Sequence, residues 1–314
     1  MKSPLSSAAP SRLADSNDQR ARLTGIGMMC VALISFSLLD VTAKWLTLSV
    51  SPIEITWARY VGHFVLSFIV INPWSRPGVW RTDRPWLQIV RSLLLIGITV
   101  SNFIALQYLQ LDQTMSILFS TPLFVALFAG PMLGEWIGPR RWLAIMVGFL
   151  GILIIVRPTT HGLHPAVLAS LFSALCYAFY NLCTRLLAAT DSTATTMFYS
   201  SLIGAVLLSI PLPWFWSMPT DPLVIGNMAV LGVYGGFGHL LLVMAHRRAP
   251  AAVLAPFLYS QIIWMILAGW IVFDQVPNQW TLIGSGIVIA SGLYLLSRER
   301  IQHATKSLDA TLGD

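Results

Sequence analysis

Charged side chains lie inside apolar stretches of the sequence, where a buried charge must have a partner or a task. Asp40 and Lys44 fall near the end of the first apolar run, and Arg59 falls in the second. A charge at the centre of a membrane helix costs roughly 2.5–3.5 kcal/mol on insertion scales. Each of these residues is therefore a candidate for a functional site.

Asp40 and Lys44 are four residues apart, so they share one helix face and can pair. Two interpretations remain open. In the first, they form a charged wall of a central cavity, and Asp40 is a carboxylate that can carry a coupling proton. In the second, they are a structural pair near the membrane interface, with Lys44 extending towards the headgroups.

Arg59 has a planar guanidinium that can bind a carboxylate with two parallel hydrogen bonds. It can contact Asp40 or bind an anionic group of a substrate, and the sequence leaves both open. We interpret Arg91, which lies near one end of the third apolar run, as an interfacial residue. His63 and His239 are more typical of packing residues than of a proton relay.

Polar and aromatic residues also recur inside the apolar runs. A proline frees a backbone carbonyl, so Ser120-Thr-Pro122 is predicted to break the fourth run and Pro256 to loosen the ninth. Lining of a cavity and hydrogen bonding between helices are both open for these side chains. The candidate substrate-binding set comprises Asp40, Lys44, Arg59, Asn102, Thr121, Tyr177, Asn181, Tyr259, Gln261 and Trp264.

The elements that must position these residues are membrane-spanning helices. The chain has 56% hydrophobic and 10% charged residues in 314, whereas soluble domains carry roughly 25% charged residues. Each span needs about 20 apolar residues. Ten such runs fall near 23–45, 53–72, 86–108, 113–133, 142–157, 164–186, 194–213, 222–245, 251–273 and 279–297. The sequence predicts an all-α membrane protein.

Lys and Arg concentrate in alternate loops and in both tails, which is typical of the cytoplasmic side of a bacterial inner membrane. Both termini are therefore expected in the cytoplasm. The excess of 19 Lys+Arg over 13 Asp+Glu follows from this loop bias, so nucleic acid is not an expected partner. Most Trp residues lie near span ends, where the ring suits the headgroup region.

The two halves of the chain align weakly. Glu135–Trp142, followed by Gly148, resembles Asp274–Trp280, followed by Gly286, in its order of acid, Pro, Trp and Gly. Each half has five predicted spans, and an odd number makes the second half inverted relative to the first. The predicted organisation is a disordered tail at 1–22, repeats at 23–157 and 158–297, and a cytoplasmic tail at 298–314.

Five segments occur in order across both halves: Phe36–Lys44, Pro52–Arg59, Ser120–Pro122, Ala249–Pro256 and Asp274. In these segments the chain resembles the EamA-type members of the drug/metabolite transporter superfamily. The resemblance implies ten helices in two inverted repeats, a central cavity and transport without ATP hydrolysis. Asp274 stands where family members often have Glu. The first span ends with Asp40 and Lys44, where many members have Trp-Gly and then Lys.

We expect a secondary transporter for a small organic metabolite, such as an amino-acid-like compound, a vitamin such as riboflavin, or another heteroaromatic or zwitterionic solute. The alternatives are a polytopic membrane enzyme, for which no catalytic cluster is evident, and a passive channel. We predict no cofactor and no metal site. The expected partners are the substrate, the lipid bilayer and protons as a coupling ion, with the chain a monomer or homodimer.

Overall fold

The computed structural model describes residues 9–71, 77–134, 138–157, 163–187, 189–249 and 251–312. Outside these ranges lie residues 1–8 and 313–314 of the predicted tails, Glu135, and the predicted repeat junction at 158. The helices are α1 (Ala9–Leu46), α2 (Pro52–Ile71), α3 (Pro85–Leu106), α4 (Leu111–Leu118), α5 (Thr121–Leu133), α6 (Pro139–Val156), α7 (Pro165–Leu187), α8 (Thr193–Ser209), α9 (Leu212–Phe215), α10 (Pro222–Arg248), α11 (Ala251–Leu258), α12 (Gln261–Phe273) and α13 (Gln279–Leu312), with a 3-10 turn at Pro77–Trp80.

Within the described residues, nine apolar helical segments are long enough to cross a membrane, and α8 is a shorter apolar helix of 17 residues. Together they match the ten predicted apolar runs, with α4 and α5 forming the fourth and α11 and α12 the ninth. The protein is an all-helical, multi-pass membrane protein, as the composition predicts.

The helix packing follows the inverted repeat. The most extensive helix pairs include α1 with α10 and α3 with α7, in which the first and third helices of one half meet the third and first of the other. The second helices α2 and α8 pack together, as do the fifth helices α6 and α13. The bundle therefore has approximate two-fold symmetry with its axis in the membrane plane.

Two membrane faces are defined by the ends of α1. Lys44, near its end, contacts the end of α3 and lies 5.5 Å from the ring of Phe273 at the end of α12. We call this side the distal face. The opposite side, where α1 enters the membrane and α13 leaves it, is the terminal face.

The fourth and ninth spans are both broken near their middle. The chain turns at Phe119–Ser120 between α4 and α5, and at Tyr259–Ser260 between α11 and α12. The hydroxyls of Ser120 and Ser260 each donate to the carbonyl three residues earlier, at 2.6 Å. The Phe119 and Tyr259 rings meet edge to face with centroids 4.9 Å apart. The predicted break in the fourth span is confirmed, and the ninth breaks three residues after Pro256.

Glycine pairs allow the closest helix contacts. A Cβ atom added to Gly232 on α10 would lie 2.3 Å from Cα of Gly62 on α2. One added to Gly284 on α13 would lie 2.6 Å from the carbonyl oxygen of Gly151 on α6. These glycines are required because any side chain would force the backbones apart. A Cβ atom added to Gly286, by contrast, would have no neighbour within 4 Å.

The first helix begins earlier than the sequence predicts. It starts at Ala9, and α13 continues past 297 to Leu312, so both helices extend beyond the predicted spans. Both extensions contain Ala, Leu, Arg and Gln residues, which favour helix. A terminal segment of this composition continues the adjoining span, because extending a formed helix is easier than nucleating one.

Candidate substrate-binding site

Three helices of the first half bring Asp40, Arg59 and Asn102 together. The Asn102 side-chain amide on α3 donates to Oδ1 of Asp40 on α1 at 3.2 Å. Arg59 on α2 donates from Nη1 to the hydroxyl of Thr99, one turn before Asn102 on α3. The positive charge of Arg59 acts on Asp40, yet no carboxylate among the described residues forms an ion pair with this guanidinium. The two charges are therefore neighbours with separate partners.

The side chains of this group are not fully buried. Asp40, Arg59 and Asn102 are only half-buried, although each bonds to or interacts with an adjacent helix. In the described part of the chain, Nε and Nη2 of Arg59 donate no hydrogen bond. Gly235 on α10 faces this edge, because a Cβ atom there would lie 3.5 Å from Nε. The Nε–Nη2 edge, which makes no hydrogen bond to a described residue, carries two parallel donors that match a planar anionic group.

The Lys44 ammonium forms hydrogen bonds with backbone carbonyls and not with Asp40. It donates to the carbonyl oxygens of Leu106 at 2.8 Å and Leu109 at 2.6 Å, and the residue is 7% exposed. Lys44 does not pair with Asp40, because carbonyls at and just after the end of α3 take the ammonium instead. This geometry favours the structural interpretation of Lys44.

Replacing Lys44 with Met is expected to lower the free energy of unfolding by about 2 kcal/mol, since hydrogen bonds from a charged group to buried carbonyls are lost. Chemical denaturation of the detergent-solubilised protein measures this. Lys44→Arg, which keeps a cation and its donors, serves as the control and should lose less. Equal stability of Lys44→Met and the unaltered protein would contradict the assigned role.

Arg91 is the polar residue whose surroundings differ most from the interfacial position that the sequence predicts. It is 5% exposed and donates to the Thr184 hydroxyl on α7 at 2.7 Å, and to the Ser200 hydroxyl on α8 at 2.6 Å. It also donates to the Tyr180 hydroxyl and lies 4.3 Å from the centroid of that ring. The interfacial interpretation is wrong, because acceptors on two neighbouring helices draw the side chain inward. The spacing of Tyr180 and Thr184, four residues apart, is the signal that could have indicated it.

The remaining candidates on α7 lie beside Tyr180. The Tyr177 and Tyr180 rings are 6.0 Å apart, and Asn181 follows on the same helix. Tyr177 and Asn181 are half-buried, and neither forms a hydrogen bond with another described residue. Free polar groups of this kind are available to a ligand or to water.

The candidates on the broken spans form a second group. Thr121 begins α5, and its hydroxyl donates to the Leu118 carbonyl at 2.6 Å. The buried Tyr259 hydroxyl has no hydrogen-bond partner in the described structure. Gln261 is buried and Trp264 half-buried, and their side chains likewise form no hydrogen bond within the described ranges. The described residues therefore supply no acceptor for the Trp264 indole N–H.

Two histidines lie one turn from the Asp40–Arg59 group. The rings of His63 on α2 and His239 on α10 stack with centroids 5.6 Å apart and 7° between planes. Phe36 on α1 packs edge-on against His239 at 5.0 Å. The close approach of Gly62 and Gly232 sets this contact. The arrangement agrees with the predicted packing role of both histidines.

A bundle of apolar helices in two inverted repeats, with half-buried charges held between helices, defines a polytopic membrane transporter. The EamA-like transporter family model matches residues 23–157 and 164–298. The chain therefore belongs to the EamA-like transporter family, within the drug/metabolite transporter superfamily. Its function is transport rather than enzymatic catalysis.

The chain is similar along most of its length to transporters of small metabolites. It is 29% identical over 285 residues to the S-adenosylmethionine uptake transporter of Rickettsia felis, covering 88% of this chain and 94% of that protein. It is 27% identical over 282 residues to the riboflavin transporter of Rhizobium johnstonii, covering 88% and 92%. It is 26% identical over 279 residues to the pseudopaline exporter of Pseudomonas aeruginosa, covering 88% and 97%.

One solved crystal structure superposes with a TM-score of 0.60 at 16% identity, over 90% of this chain and 99% of that chain. This likeness supports the fold alone. The relatives include both importers and an exporter, so similarity fixes neither the substrate nor the direction of transport.

Proposed function

We propose that the protein is a secondary transporter that moves a zwitterionic or heteroaromatic metabolite across the bacterial inner membrane by alternating access. The observation that carries this proposal is the arrangement of Asp40 and Arg59, which are half-buried neighbours with separate hydrogen-bond partners. Opposite charges that are not neutralised by each other can each bind a group of a ligand. Inverted-repeat transporters place their sites near the membrane midplane between the halves.

The geometry supports a ligand that carries both charges. The free Nε–Nη2 edge of Arg59 suits a carboxylate, for which two parallel hydrogen bonds are available. Oδ2 of Asp40 accepts no hydrogen bond from a described residue and suits an ammonium or sulfonium group. Tyr177 and Trp264 offer aromatic faces on other helices, where a heteroaromatic ring can stack. The amides of Asn102, Asn181 and Gln261 and the hydroxyls of Thr121 and Tyr259 complete the proposed set.

The charge pattern supports the orientation in the membrane. Lys and Arg residues concentrate at the terminal face, which we therefore assign to the cytoplasm, together with both termini. The proposal also includes proton coupling through Asp40, repeats at 23–157 and 158–297, and a monomeric or homodimeric state. Lys44 stays in the predicted set, although its ammonium is already bonded to two carbonyls.

A thermal-shift screen of the purified protein against zwitterionic and heteroaromatic metabolites tests the substrate class. A ligand present at 100 times its Kd stabilises the folded state by about 2.7 kcal/mol. S-adenosylmethionine is the first probe, because it combines a carboxylate, an ammonium, a sulfonium and an adenine ring. We expect the stabilising compounds to carry both charges or a heteroaromatic ring. Stabilisation only by uncharged aliphatic compounds would contradict the proposal.

Proton coupling is tested by replacing Asp40 with Asn, which removes the only carboxylate that the proposal assigns to the site. We expect proton-driven transport in proteoliposomes to be lost, while exchange of substrate between the two sides persists. Unchanged proton-driven transport by Asp40→Asn would show that another group, or no group, carries the proton.

A further inference from the structure

Glu54 joins the two halves of the protein at the distal face. Ser51 and Glu54 form a capping box at the start of α2, with the Ser51 amide donating to Oε2 of Glu54 at 3.0 Å and the Glu54 amide to the Ser51 hydroxyl at 3.2 Å. The Glu54 carboxylate also accepts the Ser217 amide at 2.6 Å and the Ser217 hydroxyl at 3.2 Å. Ser217 lies in the segment that leads into α10. One fully buried carboxylate thus connects the first half to the second.

Asp191 makes the corresponding connection at the terminal face. It directly precedes Ser192, the N-cap residue of α8. Its Oδ2 accepts the Thr82 hydroxyl at 2.5 Å and the Gln88 side-chain amide at 2.6 Å, and its Oδ1 accepts the Asp83 backbone amide at 3.4 Å. These donors lie in the segment that leads into α3 and in the first turn of that helix. Asp191 thus connects the second half to the first.

The two connections are related by the inverted repeat. Each carboxylate lies at the start of the second helix of one half, α2 or α8. Each binds the segment that precedes the third helix of the other half, α10 or α3. Because the halves are inverted, one connection closes the distal face and the other closes the terminal face. Two equivalent contacts on opposite faces are the arrangement that alternating access requires.

We propose that Glu54 and Asp191 are the two gating residues of the transporter, one at each membrane face, and that each face opens when its carboxylate releases the segment of the other half. This inference rests on the proposed alternating access. Both gates are closed in this structure. Opening of one gate while the other stays closed exposes the central site to a single face.

The chemistry of both contacts suits repeated opening. In the described structure the donors to Glu54 and Asp191 are backbone amides, hydroxyls and a carboxamide, with no cationic side chain among them. Water can replace neutral donors of this kind when the segments separate, and no unpaired cation is left buried. Burial opposes ionisation of Asp191, but hydrogen bonds from Thr82, Gln88 and the Asp83 amide outweigh it and hold the pKa below its usual range. Asp191 is therefore an ionised acceptor at neutral pH.

The distal contact has open space beside it. A cavity of about 250 Å³ lies between Ser49 and Val50 on one side and Ser217–Asp221 on the other. The two segments are thus incompletely packed against each other next to Glu54. The carboxylate contacts, the Ser51–Phe215 hydrogen bond at 3.5 Å and the edge-to-face pair of Trp57 and Trp216 hold the segments together. Loss of the carboxylate contacts is expected to weaken this closure.

Accessibility of a cysteine in the proposed binding site from each face tests the gates. The full chain is prepared with Cys30, Cys176 and Cys183 replaced by Ala, and Asn181→Cys is added as the reporter. A membrane-impermeant thiol reagent is applied to right-side-out and inverted vesicles. Glu54→Gln is expected to raise labelling from the distal face by roughly tenfold or more, the effect of losing one charge-assisted hydrogen bond. Asp191→Asn is expected to do the same from the terminal face.

Matched controls remove a charge at the same face without touching a gate. Asp274→Asn at the distal face and Arg140→Gln at the terminal face replace exposed charged residues and should leave labelling unchanged. Ser217→Ala and Thr82→Val each remove one donor hydroxyl and keep the carboxylate. They should change labelling in the same direction as the gate variants but less, and they keep the test valid if a gate variant fails to fold.

The outcomes separate the two proposals. Gate variants that label like their controls, that both open the same face, or that leave the reporter unreactive from either face would overturn the assignment of the gates while leaving transport untouched. Absence of saturable, counterflow-accelerated transport in the background with intact gates would instead contradict alternating access itself.

Discussion

Replacing Arg59 with Gln is expected to weaken substrate binding by roughly 10- to 100-fold, with the fold retained. The guanidinium supplies the only open cationic edge that the structure places beside Asp40 within the described residues. Loss of a hydrogen bond to a charged ligand group costs about 1.5–3 kcal/mol, and each 1.4 kcal/mol is a factor of ten in Kd. Thermal-shift titration of a ligand identified by the screen measures the change in Kd.

The matched control is Arg84→Gln, which removes an exposed cation at the terminal face and should leave the Kd unchanged. Comparison of a bound ligand with its carboxamide analogue sharpens the test. The unaltered protein should prefer the carboxylate, and Arg59→Gln should bind both forms alike. An undiminished preference in Arg59→Gln would show that the anionic group binds elsewhere.

Replacing Gly232 with Ala is expected to destabilise the protein by about 1–3 kcal/mol, the usual cost of overpacking a tightly packed interior. The new Cβ atom would lie 2.3 Å from Cα of Gly62, so α2 and α10 must separate. Such a shift also parts the His63–His239 stack and moves Arg59, which lies on α2. We therefore expect weaker substrate binding together with a lower melting temperature.

Gly226→Ala on the same helix is the matched control, because no atom lies within 4 Å of a Cβ placed there. Ala favours helix over Gly by about 1 kcal/mol, so this variant should be as stable as the unaltered protein or more so. The melting temperatures of the two variants in detergent give the comparison. If Gly232→Ala melts together with Gly226→Ala, the close contact between α2 and α10 is not tight in solution.

The sequence predicts the fold well because its signals are local. Each span is indicated by a run of about 20 apolar residues. The break in the fourth span follows from Pro122, which has no backbone N–H to donate within a helix. The inverted arrangement follows from an odd number of spans in each half. These features need no knowledge of which helices are neighbours.

The partners of the charged residues could not be predicted in the same way. Spacing of four residues makes an Asp40–Lys44 pair sterically available, but acceptors at the end of α3 compete for Lys44 and prevail. Arg91 lies near a span end, where sequence favours an interfacial position, whereas Thr184 and Ser200 draw it inward. Such choices depend on which helices meet, and that is set by packing across the whole bundle.

Counterflow in proteoliposomes tests the central claim most directly. Vesicles containing the purified protein are loaded with an unlabelled ligand found by the screen, and entry of the labelled ligand is followed. A transporter that exposes one site alternately to each face predicts saturable entry that is accelerated by the internal ligand. Entry that rises linearly with concentration and is indifferent to the internal ligand would mean that the protein forms an open pathway instead.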